Sequence, residues 1–241
     1  MTAPAPDPLH AGLWRTGPRL APLHIVAVIV GGLALDRLLG WPGQILADLW
    51  AAAVFGWLYA QGGPAERRVL VACMLIAGLG ECVLSLVWGL YAYQFGNIPL
   101  FVPPGHALLM TLGIMVAARL PVWVVWAVPL AAGPWALAGW WQGWDQAGGM
   151  LFVLLAVCMA ASRGRRLYAA MFVLALAMEL YGTWLGNWAW KPVVAGLGLS
   201  TTNPPAHAGA FYCALDLLVL ASLRLPRTSS ARNWRLGRAT R

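Results

Sequence analysis

Four acidic residues, Asp48, Glu81, Glu179 and Asp216, lie inside long apolar stretches of this 241-residue chain. A carboxyl group in such surroundings is costly and faces a bundle interior or a watery cavity. The chemistry open to it is proton transfer. An un-ionised carboxyl can donate a proton to a bound molecule, and an ionised neighbour can take one back. Two of the four acids belong to a repeated pattern. Glu81 is followed by Gly89-Leu90-Tyr91-Ala92-Tyr93 and by Pro103-Pro104-Gly105-His106-Ala107. Glu179 is followed by Gly186-Asn187-Trp188-Ala189-Trp190 and by Pro204-Pro205-Ala206-His207-Ala208. Glutamates, glycines and histidines recur at offsets of 98, 97 and 101 residues, an order hard to attribute to chance.

Other residues join these two. On a helix, Gly78, Glu81, Ser85 and Gly89 share one stripe, and Glu179, Gly182, Thr183 and Gly186 share another. Small residues there allow close helix approach. The faces of Tyr91, Tyr93, Trp188 and Trp190 could contact substrate and stabilise a developing cation. His106 and His207 each follow a Pro-Pro pair, which the first turn of a helix tolerates. A helix N-terminus suits a neutral imidazole, fit for acid–base work or simply for a bond to the preceding loop. Asp216, one turn after Tyr212, adds an acid to the second copy alone. Asp48 could reach the interface, and either glutamate could be an interhelical hydrogen-bond donor and nothing more.

Metal and cofactor chemistry is not expected. Glutamate and histidine are permissible zinc or iron ligands, but depth separates them. Glu81 lies about 12 Å along a helix from Gly89, whereas His106 is expected at the end of its own helix. The single lysine, Lys191, sits in a polar loop and not deep in a helix, so a retinal-type Schiff base is not expected. Cys73, Cys82, Cys158 and Cys213 fall in apolar segments without metal-type spacing, so no disulfide framework is expected.

The elements that must position these groups are membrane spans. Only 10% of residues are charged, against about 25% in a soluble domain, so lipid is the expected solvent. Apolar runs predict eight spans near 21–39, 44–61, 69–92, 101–118, 121–140, 147–162, 167–186 and 205–223. The expected fold is an all-α polytopic membrane helix bundle. A cytoplasmic arm at 1–20 precedes a first four-helix repeat at 21–119. A second four-helix repeat at 120–223 leads to a basic tail at 224–241. An even number of spans per repeat gives both copies one orientation, related by an axis along the membrane normal.

Charge placement orients the bundle. Fourteen of the 16 basic residues flank one side of these spans, leaving Arg37 and Lys191 opposite. The positive-inside rule makes the richer side cytoplasmic, so both termini are expected there, in a bacterial-type inner membrane. The net charge of +8 is thereby a topological anchor attracting anionic lipid, and no nucleic-acid partner is implied. Trp-rich turns such as Trp140-Trp141-Gln142-Gly143-Trp144 match an interfacial aromatic belt.

The segment Glu179 to Trp190, Glu-x-x-Gly-Thr-x-x-Gly-x-Trp-x-Trp, resembles a pattern in bacterial integral-membrane carotenoid hydratases. Glu81 with Tyr91-Ala92-Tyr93 and Pro99 resembles it too. The resemblance implies addition of water across a terminal double bond of an acyclic isoprenoid, by acid chemistry without a metal. The Pro-Pro-x-His element departs from that family's pattern. The leading expectation is a membrane enzyme, of lyase, hydratase or isomerase type, acting on a lipid-soluble small molecule. Its site would hold Glu81, Glu179, Asp216, His106 and His207, with Tyr91, Tyr93, Trp188 and Trp190 binding substrate. The alternatives are a transporter or proton-coupled carrier, and a non-catalytic subunit of a membrane complex.

Overall fold

The structure is a computed structural model that describes residues 13–14, 18–161 and 164–224. Most of the arm at 1–20 and nearly all of the basic tail at 224–241 lie outside the described residues. Eight α-helices follow in order: α1 (Ala21–Leu39), α2 (Trp41–Gln61), α3 (Pro64–Glu81), α4 (Val102–Ala117), α5 (Val122–Gln142), α6 (Gln146–Ala161), α7 (Arg165–Leu185) and α8 (Gly209–Arg224). A π-helical turn, Cys82–Val87, extends α3, and two three-residue strands, β1 (Tyr91–Tyr93) and β2 (Trp188–Trp190), pair with each other. All eight predicted helices are present, with boundaries shifted by a few residues.

Four of them are long and apolar enough to cross a membrane: α1, α3 with its π extension, α5 and α7. The 21 residues of α7 reach about 30 Å at 1.5 Å per residue, matching a hydrocarbon core. Helices α4, α6 and α8 are shorter, with 16 residues each, because the chain at one end of the bundle folds into loops and the β-ribbon. Proline and glycine mark the starts. Pro42, Pro64 and Pro103 occupy first turns, where the missing N–H costs nothing.

Helices α3, α4, α7 and α8 form the centre, each packed on two of the others in a ring. The α1–α2 hairpin lies against α4 and α7, and the α5–α6 hairpin against α7 and α8. Close approach rests on small residues: Gly113 of α4 abuts Met171 of α7, and Gly209 of α8 abuts the Phe172 backbone. Buried side chains of these helices make one apolar core, while a second cluster surrounds the ribbon. The outside of the bundle is apolar as well. Leu130, Leu137 and Trp141 are more than 70% exposed, a surface that water does not suit when it is continuous.

Candidate functional site

Each glutamate stands near the ribbon end of a central helix. After Glu179, α7 stops at Gly186, whose φ of +85° and N–H bonds to Gly182 O and Thr183 O form a left-handed cap. After Glu81, Gly89 makes the same change of direction at φ +71°. Both conformations are ones that glycine adopts without steric cost. The two echoing segments differ between glutamate and ribbon. Ten residues separate Glu81 from Tyr91 but nine separate Glu179 from Trp188. The extra residue is absorbed by the π-helical turn, closed by Trp88 N–H to Val83 O at 2.8 Å, as an insertion into an α-helix commonly is.

The two echoing segments pair with each other. Tyr91 lies opposite Trp190, Ala92 opposite Ala189, and Tyr93 opposite Trp188, in an antiparallel ladder. Alternation along a strand therefore sends all four aromatic rings to one face. They are buried there, and both alanines are exposed on the other face. The buried face meets the carboxylates. Tyr91 and Tyr93 each donate a hydroxyl hydrogen bond to Glu81 Oε2 at 2.8 Å. Trp188 and Trp190 donate their indole N–H groups to Glu179 Oε2 at 2.9 and 3.1 Å.

The remaining carboxyl oxygens meet two different rings. His106 Nε2 lies 3.1 Å from Glu81 Oε1, and Tyr212 donates to Glu179 Oε1 at 2.9 Å. These partners stack on one another. Indole N–H groups can only donate, so Glu179 Oε2 is held as an acceptor. Three donors in all surround this buried carboxyl group, two on Oε2 and one on Oε1. Glu81 has the same number of partners, one of which can itself carry a proton.

Both glutamates line a single cavity of about 60 Å³, with Tyr91, Tyr93, Trp188, His106 and Tyr212. Its other wall is apolar, made by Val28, Ile29, Gly32 and Leu33 of α1 and by Ala47 and Ala51 of α2. That volume accommodates a few water molecules or the end of a hydrocarbon chain. A polar layer crosses its ribbon end. Buried Asp36 accepts from Gln44 Nε2 at 3.2 Å and Asn187 Nδ2 at 2.7 Å, and Asn97 Nδ2 donates to Gln44 Oε1 at 2.9 Å. A second cavity of about 220 Å³, walled by Trp190, Phe211, Leu151 and Leu199, holds no titratable side chain.

The structure revises several placements. His106, expected to lie at a different depth from Glu81, touches it. Helix α4 begins at Val102 with the Pro-Pro pair inside its first turn, and this carries His106 down to the carboxylate. Its counterpart does not follow. Pro204 and Pro205 precede α8, which starts only at Gly209, and His207 turns away to Ala132 O of α5 at 3.1 Å, between Phe152 and Phe172. Asp216 is fully buried off the cavity, and neither of its oxygens has a hydrogen-bond partner among the described residues. Asp48, for which the interface was one of two expected places, accepts the Phe101 N–H at 2.7 Å at the start of the His106 helix.

Sequence reasoning passed over Asp36, Asn187 and Asp145. Asp145 caps α6 through Gly148 N–H at 3.0 Å and pins the His207 loop through Ala206 N–H at 2.8 Å. The usable signal was an acid within a turn of a predicted span end, beside Gly-rich or Trp-rich turns. Among the described residues, no group of three or more His, Cys, Asp and Glu side chains is arranged to hold a metal ion. No family model, curated protein or solved structure matches the chain.

Proposed function

We propose that this protein is an integral membrane enzyme that acts on a lipid-soluble, isoprenoid-class molecule by acid–base chemistry at Glu81 and Glu179. The observation that carries the reading is the convergence of the two glutamates on one cavity that is polar on one side and hydrocarbon-like on the other. Three of the aromatic residues, Tyr91, Tyr93 and Trp188, line that cavity beside the carboxylates, and a ring face turned to the cavity would stabilise a cationic intermediate. The resemblance to carotenoid hydratases agrees with this, giving water addition to a terminal double bond as the reaction class.

The same reading takes the chain as a duplicated four-plus-four bundle in a bacterial-type inner membrane, with both termini cytoplasmic. The pairing of β1 with β2 and the matching glycine turns support the duplication. The exposed apolar surface and the long apolar helices support the embedding.

Lipid analysis of a deletion strain tests the reaction, because a missing product names it. Restoring the gene should restore the product. Glu81→Gln and Glu179→Gln should each lower turnover at least about 100-fold, the scale of a lost acid–base group, with little change in melting temperature. If both variants keep full turnover but melt early, the glutamates are structural. A proton-coupled carrier is the second reading, favoured by Asp216, a buried acid in the bundle interior. It predicts substrate-dependent flux in liposomes without conversion.

A further inference from the structure

We infer that the second cavity, beside the ribbon, is a binding site for the hydrocarbon chain of an unsaturated, methyl-branched lipid that enters sideways from the bilayer. This rests on the membrane-enzyme reading above, to which it adds the place where the substrate's chain lies.

The depth of the cavity sets its entrance. Among the residues that line it, Trp88, Met150 and Leu197 are 40, 50 and 55% exposed, whereas Leu90, Leu151 and Trp190 are 5, 7 and 9% exposed. The space therefore leads from the outside of the bundle toward its interior. Met150 shares an exposed face of α6 with Val153 and Val157, three and seven residues further on. The mouth thus opens on the apolar surface that the bundle offers to lipid.

The lining recognises hydrocarbon and nothing polar. Its side chains hold three polar groups, on Trp88, Trp190 and Thr201, and each already donates elsewhere. Trp88 Nε1 donates to Ala195 O at 2.9 Å, Trp190 Nε1 to Glu179 Oε2 at 3.1 Å, and Thr201 Oγ1 to Thr202 O at 3.1 Å. An apolar cavity of about 150 Å³ excludes water and takes up benzene, and this one measures about 220 Å³. Its frame is pinned. Ala147 N–H donates to Ser200 O at 2.9 Å and fastens the loop after β2 to the first turn of α6. The Trp88 bond fastens the same loop to the end of the π-helical turn.

The aromatic walls select the chain. Lipid tails are as apolar as the lining, so burial alone gives no drive from bilayer to cavity and packing decides. Trp190 and Phe211 present flat rings whose planes are 21° apart. A chain stiffened by double bonds loses less rotational freedom against them than a saturated acyl chain does. Trp190 serves both cavities. Its ring walls the larger one, and its N–H holds Glu179, which lines the smaller.

The test is photolabelling of the full chain in vesicles of dioleoyl phosphatidylglycerol and phosphatidylethanolamine. One probe is geranylgeraniol carrying a diazirine, and the other is a saturated alcohol of similar length carrying the same group. The isoprenoid probe should label the start of α6 and the loop at 193–200, and the saturated probe should not. Met150→Trp and Leu197→Trp each put a ring into the mouth from a different element, at half-exposed positions where a larger side chain has room. Either should lower that labelling at least about tenfold, the effect of losing on the order of ten carbon–carbon contacts, with the melting temperature held. Equal labelling by the two probes, no labelling of these segments, or labelling that persists in both folded variants overturns the inference. Conversion of a membrane lipid extract scores the enzyme reading separately. A wild-type protein that converts nothing refutes that reading, and the contrast between the probes still decides what the cavity binds.

Discussion

His106 lies flat against Tyr212, with ring planes 12° from parallel, and each of the two rings is held by a different glutamate. The pair joins the carboxylates of α3 and α7 into one connected unit. Neither ring belongs to the β-ribbon, so the two glutamates are linked independently of strand pairing.

Tyr212 is therefore expected to act through its hydroxyl and its ring separately. Tyr212→Phe keeps the stacked face and removes the bond to Glu179 Oε1. A hydrogen bond to a charged group contributes about 1.5–3 kcal/mol, so turnover should fall roughly ten- to hundredfold. Tyr212→Leu removes the stack as well and should fall further, with a raised KM as His106 loses its support. Steady-state kinetics on the lipid product decide this, and a Phe variant indistinguishable from wild type would discard the hydroxyl's role.

Gly182 is predicted to be intolerant of any side chain. A Cβ there would overlap the Trp188 indole, whose N–H holds Glu179. Overpacking of this kind costs about 1–3 kcal/mol, so Gly182→Ala should melt several degrees lower and lose turnover together. Gly80 is the control, since a Cβ at that position meets nothing within 4 Å. Gly80→Ala should match or exceed wild-type stability, the helix propensity of alanine being better by about 1 kcal/mol. Thermal melts of the two variants in one detergent separate the cases.

How far the site was legible in sequence follows from the physics of each part. The eight helices were readable because a membrane-length apolar run is a local signal, bounded by Arg, Pro and Gly. Glu81 and Glu179 were readable because they were repeated. Strands β1 and β2 were not, since three residues carry no periodicity and their pairing depends on chain far away. The contact of His106 with Glu81 was hidden by treating α3 as a straight rod and by placing the helix start that carries His106 at a different depth from the carboxylate. His207 was misjudged because identical motifs were taken to fold identically, although α8 starts past its histidine while α4 starts before His106.

His207 should consequently matter for stability and not for turnover. It bridges α5 to the α6–α7 side through Ala132 O and two phenylalanine rings. His207→Leu leaves that carbonyl without its side-chain partner and should cost about 1–3 kcal/mol. Melting temperature should drop, and the initial rate per folded molecule should stay within about twofold of wild type, the scale expected off the reacting site. A specific loss of rate in a stably folded variant would return His207 to the active centre.

Reporter fusions test the orientation. Fusions after Gly62, Gly164 and the C-terminus should report cytoplasm, and fusions near Asn97, Gln146 and Gly198 should report periplasm. A periplasmic C-terminus would overturn the eight-span topology, because adding or removing one crossing inverts everything after it.

The β-ribbon also dictates an order of biosynthesis. Glu81, Tyr91, Tyr93 and His106 leave the ribosome within one short stretch, so one carboxylate can find its partners while the second half is still untranslated. Strand β1 must then wait, its backbone N–H and C=O groups unpaired, until β2 emerges far later. A slip of one residue at that late docking would turn both rings of one strand away from the face that meets the glutamates. Docking of the nascent second half is thus the step at which the two glutamates come onto one cavity, and a gene split at residue 120 should yield two fragments that insert separately and recover function only on co-expression.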